Sequence, residues 1–210
     1  MNLPNKLTVL RIILVPFMVA AMLIEFPFHY LVAGLIFGAA SLTDYFDGKI
    51  ARERNLITDF GKFADPIADK ILVISALVCF LAKGLCDPII ILIVLFREFV
   101  VTSIRLSAAS SGKVVAANMW GKAKTVSQII AIVGVFVLQV VLEIFEAVFG
   151  HGVTAYYIDI ADTIRISGQI SALCNVFYVI GEVMLWISVV FTIISGVKYV
   201  VDNKDAISDM

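Results

Sequence analysis

The chain has 210 residues, 61% of them hydrophobic and only 16% charged, with a formal net charge of -1. That apolar share lies well above, and the charged share well below, the range of ordinary water-soluble domains, which excludes a typical soluble globular protein. Spanning segments occupy nearly the whole length, so residues 1–210 read as one membrane domain with no room for a separate soluble one.

A spanning helix needs ~20 mostly apolar residues. In chain order, the apolar runs predict helices at about Leu7–Ile24, Tyr30–Ala51, Pro66–Leu81, Pro88–Ala108, Trp120–Phe149 and Ser171–Val201. The expected fold is therefore an all-α integral membrane protein of six transmembrane helices, with Met1–Lys6 as a short interfacial lead-in. Arg11 near the start of an apolar run could mimic a signal peptide, but the length of that run and the spans after it favour an uncleaved anchor.

An even number of spans puts both termini on one side. With that side cytoplasmic, Lys6, Lys49, Arg52, Arg54, Lys62, Lys113, Lys122, Lys124, Lys198 and Lys204 all fall inside, and Lys83 and Arg165 in the outer loops. Phe26–His29 forms a short outer turn, and Gly150–Gly168 a longer outer loop in which Tyr156 and Tyr157 are expected as interfacial anchors. Cys79, Cys86 and Cys174 form no CxxC pair and read as packing residues.

Ionisable groups within spans are costly and mark function. Asp44 and Asp47 lie three apart at the cytoplasmic end of the second span, and Gly61, Asp65 and Asp69 follow at intervals of four. Carboxylates crowded in a low dielectric must be protonated or bound to cations. With only oxygen donors and no His or Cys nearby, the cluster suits hard divalent ions, two Mg²⁺ or Mn²⁺, and through them a diphosphate substrate. Gly48 and Gly61 would let a substrate approach the backbone, and Arg52 would neutralise phosphate oxygens. A solvated loop in which the acids merely pair with Lys49, Arg52, Arg54, Lys62 and Lys70 is the plainer alternative, and the regular spacing argues against it. Because Pro66 follows Asp65, the third helix is expected to start at Pro66, with Asp65 at its entrance.

Asp44-x-x-Asp47-Gly48-x-x-Ala51-Arg52, eight residues, then Gly61-x-x-x-Asp65-x-x-x-Asp69 resembles the signature of the CDP-alcohol phosphatidyltransferase family at every fixed position. Asn2–Arg11, Arg97-Glu98, Val101–Leu106 and Trp120–Thr125 look like the bacterial branch that makes phosphatidylglycerophosphate. The resemblance implies transfer of a phosphatidyl group from CDP-diacylglycerol to sn-glycerol 3-phosphate with release of CMP, in a homodimer in the bacterial cytoplasmic membrane, the active site facing the cytoplasm. It implies that Asp44, Asp47, Asp65 and Asp69 hold metal, with Asp69 the candidate base. Asp44, Gly48, Ala51, Arg52 and Gly61 would line the donor site. Asn5, Thr8 and Arg11 could also reach the donor's diphosphate, and Asn5 and Thr8 could equally be capping groups.

An acceptor bearing a phosphate needs cations near the metals, and Arg105, Lys113, Lys122 and Lys124 are the candidates, Arg105 and Lys122 first among them. Each also satisfies the positive-inside rule without any such role. Arg97 and Glu98, inside the fourth span, could pair within the bundle or meet substrate. Membrane lipids are expected partners and nucleic acid is not. The rival readings are a sister enzyme that uses serine, an inositol phosphate or phosphatidylglycerol, an intramembrane prenyltransferase, and a divalent-cation transporter. The last would place its acids near the midplane between repeats, whereas these lie at the cytoplasmic edge of a chain without a visible repeat.

Overall fold

In the computed structural model the described residues are 3–53, 59–110, 119–149 and 170–204, and nearly all of them are helical. The elements are α1 (Leu3–Leu23), α2 (His29–Glu53), α3 (Asp59–Ala82), α4 (Pro88–Ser110), α5 (Met119–Phe149) and α6 (Ile170–Asp202). Among the described residues there is no strand. The outer loop around Tyr156 and Tyr157 lies outside them.

Two helix boundaries differ from expectation. The lead-in is, from Leu3 on, the first turn of α1. Pro4 can stand there because its missing N–H falls where a helix leaves N–H groups unpaired anyway. The third helix begins at Asp59, not Pro66, so Asp65 sits inside it. A proline in a helix interior forfeits one backbone bond and presses on the preceding turn, a cost of ~3 kcal/mol. The surrounding turns of α3 outweigh it, as those of α1 do around Pro16.

The connection between α3 and α4 shows how sequence chemistry stops one helix and starts the next. Gly84 takes a left-handed backbone (φ 70°) and donates to the Leu81 carbonyl, while Leu85 N–H donates to Phe80 O at 2.8 Å, closing the end of α3. Asp87 then accepts from Ile89 N–H at 2.7 Å and Pro88 takes the first helical position of α4. Cys86 is buried in this connection. Burial first, then the nearby Glu182 and Asp87 charges, push its thiol up to about 12, so it stays protonated and inert.

Among the described residues, three helices contain a stretch long and apolar enough to cross a membrane: Asn5–Leu23, Met119–Val148 and Cys174–Asp202. The protein is thus a helical membrane protein, and its outer surface agrees. Leu35, Leu92, Phe96, Phe99 and Val148 are all more than 60% exposed, an arrangement that suits lipid rather than water. α2, α3 and α4 have 25, 24 and 23 residues, ample length for ~30 Å of hydrocarbon.

α1 packs on α2 and α3, α5 bridges α2 and α6, and α4 lies mainly against α6. All six helices contribute to one apolar core. At its centre Phe136 of α5 meets Phe37 of α2 at 5.8 Å and Phe80 of α3 at 5.0 Å, the latter edge-on. Gly34 makes room for that ring, since a Cβ there would sit 3.3 Å from Phe136.

Glu143 of α5, buried, accepts from the backbone N–H groups of Tyr30 (3.0 Å) and Leu31 (3.4 Å) at the start of α2. A carboxylate at a helix N-terminus satisfies orphan donors and complements the helix dipole. This contact ties the first turn of α2 to α5. Glu143→Ala should lower stability by about 1–3 kcal/mol, the cost of leaving buried donors unmade, and Glu143→Gln by less because an amide oxygen still accepts. Thermal unfolding in detergent micelles checks both; equal melting temperatures for all three proteins would contradict the cap.

Candidate active site

Helical spacing builds the site from the first three helices. Thr8 and Arg11 lie three apart and so share a face of α1. Thr8 Oγ1 donates to Asp65 Oδ1 of α3 at 2.6 Å. Arg11 Nη1 lies 3.1 Å from Asp44 Oδ1 of α2, and the same nitrogen donates to Asp69 Oδ1 of α3. One guanidinium nitrogen therefore gathers carboxylates from two helices, and three of the four signature aspartates converge on α1.

The burial is uneven in a useful way. Arg11 is fully buried, whereas the Asp44 and Asp69 side chains remain 44% and 47% exposed. The cation anchors the cluster from within while the carboxylate faces stay open to a ligand. Arg11 thus meets carboxylates where the sequence suggested a substrate diphosphate. Thr8 bonds Asp65 from inside α1, so it is no helix cap, and Asn5 is buried on the same helix.

Asp47, Gly48, Ala51 and Arg52 fall within α2, and Gly61 within α3, but the placement of their side chains lies outside the described residues. Among the described residues no three His, Cys, Asp or Glu groups close into a metal cage. Arg11 stands between Asp44 and Asp69, and Asp65 is turned to Thr8. The chemistry of the donors still fits a hard divalent ion, because Asp44, Asp65 and Asp69 offer carboxylate oxygens only.

The basic candidates separate. Arg105 on α4 and Lys122 on α5 are exposed, and Lys113 lies outside the described residues. Lys124 is buried, with Nζ 2.8 Å from Glu98 Oε1. Arg97 Nη1 donates to that same oxygen at 2.8 Å, and its Nη2 donates to Ser195 Oγ of α6 at 2.8 Å. Arg97 and Glu98 therefore do pair within the bundle. Lys70, which the sequence offered only as a partner for the aspartates, instead donates to Thr102 Oγ1 on α4. Its position directly after Asp69 was the available signal.

Arg11→Ala should destabilise the protein by about 1–3 kcal/mol, less than the loss of a fully buried pair because both aspartates are partly solvated. Added Mg²⁺ should restore part of this, since either cation neutralises the same carboxylates. Melting curves with and without Mg²⁺ measure it, and an Arg11→Ala protein as stable as the parent in the absence of divalent ions would refute the bridging role.

The profile of the CDP-alcohol phosphatidyltransferase family matches residues 1–194. The chain is 35% identical to the CDP-diacylglycerol--glycerol-3-phosphate 3-phosphatidyltransferase of Bacillus subtilis, over 98% of this chain and 97% of that protein. It is 35% identical to the like-named protein of Rickettsia bellii, over 94% and 93%. A probable phosphatidylglycerophosphate synthase of Mycobacterium tuberculosis is 42% identical over 65% of this chain and 66% of its own. With three of its signature aspartates drawn together by α1 and the family profile matching residues 1–194, the chain belongs to the CDP-alcohol phosphatidyltransferase family.

Proposed function

We propose that this protein transfers the phosphatidyl group of CDP-diacylglycerol to the primary hydroxyl of sn-glycerol 3-phosphate, giving phosphatidylglycerophosphate and CMP. The observation that carries the reading is the convergence of Asp44, Asp65 and Asp69 on Thr8 and Arg11, in a chain similar along its whole length to proteins named for this reaction.

Asp44, Asp47, Asp65 and Asp69 would hold two Mg²⁺ or Mn²⁺ ions, which when bound supply electrophilic stabilisation of the diphosphate. The donor lies along Asp44, Gly48, Ala51, Arg52 and Gly61, with Asn5 and Thr8 of α1 on its other side. The glycerol 3-phosphate hydroxyl oxygen attacks the phosphorus that carries the diacylglycerol. A new P–O bond forms there, the bond to the bridging oxygen breaks, and that oxygen leaves with CMP. Asp69, partly exposed beside the reacting centre, takes the hydroxyl proton as general base. Asp65, held by Thr8, supports this geometry as the second catalytic carboxylate.

Arg105, Lys113, Lys122 and Lys124 supply positive charge for the acceptor's phosphate, with Lys124 the buried member. All six helices span the bacterial cytoplasmic membrane as a single domain over residues 1–210. Both termini and the carboxylate cluster face the cytoplasm, where the soluble acceptor resides, following the distribution of Lys and Arg. The unit in the membrane is a homodimer.

The test is CMP release by the purified protein in detergent with CDP-diacylglycerol and Mg²⁺, offered glycerol 3-phosphate, serine or an inositol phosphate. Release is expected with glycerol 3-phosphate alone, lost on chelation and regained with Mg²⁺ or Mn²⁺. Asp69→Asn should slow it by about 10²-fold or more, the usual worth of a positioned general base. Release with a different acceptor would keep the family and replace the substrate. Folded protein that releases no CMP with any acceptor or divalent ion would overturn the enzyme reading in favour of cation transport.

A further inference from the structure

The fourth span carries an arginine and a glutamate in succession, a costly pair inside an apolar bundle, and the signature motif does not use them. A single oxygen, Glu98 Oε1, accepts from both Arg97 Nη1 and Lys124 Nζ, each at 2.8 Å, so two cations from α4 and α5 are drawn to one point. Arg97 is fixed at its far end by Ser195 Oγ on α6, and its stem runs so close to Gly196 that a Cβ there would lie 3.1 Å from Arg97 Cγ. Thr102 Oγ1 donates to the Glu98 carbonyl at 2.6 Å and accepts from Lys70 of α3. Two cations thus meet one carboxylate, leaving one positive charge uncompensated among these three residues, and Lys70 adds a further cation that reaches only the Glu98 backbone, through Thr102.

The arrangement also holds donors in reserve. Arg97 Nε is buried and has no hydrogen-bond partner among the described residues. The same is true of Gln128 Nε2, one turn along α5 from Lys124 on the same face, in a residue only 2% exposed. Lys124 has three N–H groups, of which Glu98 takes one. Buried unmade donors are costly, and their natural complement is an anion with several acceptor oxygens. A phosphate monoester dianion matches both the unused donors and the surplus charge.

We propose that Glu98 is a positioning residue for the acceptor: its carboxylate pins Lys124 and Arg97 side by side so that their remaining N–H groups receive the phosphate of glycerol 3-phosphate. The assignment rests on the acceptor proposed above. Glu98 does not compete with the phosphate, because the donors it occupies are not the ones left for the ligand. Without it, two like charges at close range repel and the two donors lose their common orientation.

The experiment measures KM for each substrate and kcat for the parent, Glu98→Gln, Glu98→Asp, Lys124→Met and the Glu98→Gln/Lys124→Met double variant, with melting temperature as the fold check. KM for glycerol 3-phosphate should rise about ten-fold in Glu98→Gln, the worth of a charge-assisted hydrogen bond. KM for CDP-diacylglycerol should stay unchanged, Glu98→Asp should recover part of the loss, and the double variant should be less impaired than the product of the single effects. An unchanged or lower KM for glycerol 3-phosphate in Glu98→Gln, or a fall in kcat with both KM values intact, would overturn the proposal. If Lys124→Met leaves KM for glycerol 3-phosphate unchanged, it is the location of the acceptor's phosphate at Lys124 that fails, and the role of Glu98 with it. If the parent releases CMP only with another acceptor, the substrate reading has failed instead.

Discussion

Carboxylates can be brought together inside an apolar bundle only if positive charge comes with them, and Arg11 meets that condition here. Its fully buried guanidinium offers one nitrogen to Asp44 of α2 and Asp69 of α3. The contact settles which helices are neighbours, because α1 must lie against both α2 and α3 for one side chain to reach both. Thr8, one turn earlier, adds Asp65 to the same face. The carboxylates keep roughly half their surface open because the neutralising charge reaches them from the protein side.

The same economy of charge organises the rest of the bundle. Glu143 closes the far end of α2, fifteen residues from Asp44 or ~22 Å along a helix, by accepting from two orphan N–H groups. Between these polar ends, Phe37, Phe80 and Phe136 fill the middle with rings that have no hydrogen bond to satisfy. Glu98 joins α4 to α5, and its partner Arg97 carries the link to α6. The buried charged side chains Arg11, Lys124 and Glu143 thus all bond between helices, where direct bonding retains charge in such surroundings.

Much of this was legible in the sequence, and the failures have physical causes. Apolar runs located all six helices to within a few residues, except where proline misled: the α3 start was placed at Pro66 although the helix begins at Asp59. A proline rule describes a local preference, and the neighbouring turns outvoted it. The eight-position signature pointed to Asp44, Asp65 and Asp69, but spacing along single helices cannot show that Arg11 stands among them. Lys122 and Lys124 posed a similar difficulty. Two residues apart, they project to opposite sides of α5, and the sequence reading favoured Lys122, which is exposed. The polar residues Lys124, Gln128, Gln139 and Glu143 fall on the buried face of the helix. In a membrane span that stripe marks the inward side, so the burial of Lys124 and the exposure of Lys122 were legible.

α3 is where the two charged systems meet. Asp69 and Lys70 are consecutive, so their side chains leave the helix about 100° apart. Asp69 turns to Arg11 on α1, and Lys70 turns to Thr102 on α4. The helix therefore separates an acidic side, suited to metal and diphosphate, from a basic side, suited to a phosphate monoester. An acceptor with a phosphate at one end and a hydroxyl at the other has the polarity of that partition. In the proposed arrangement its phosphate would lie on the α4–α5 side and its hydroxyl toward Asp69, whereas an acceptor without the phosphate would leave the basic side unanswered. The proposed preference for glycerol 3-phosphate thus follows from which faces of α3 two adjacent residues occupy, as much as from any single contact.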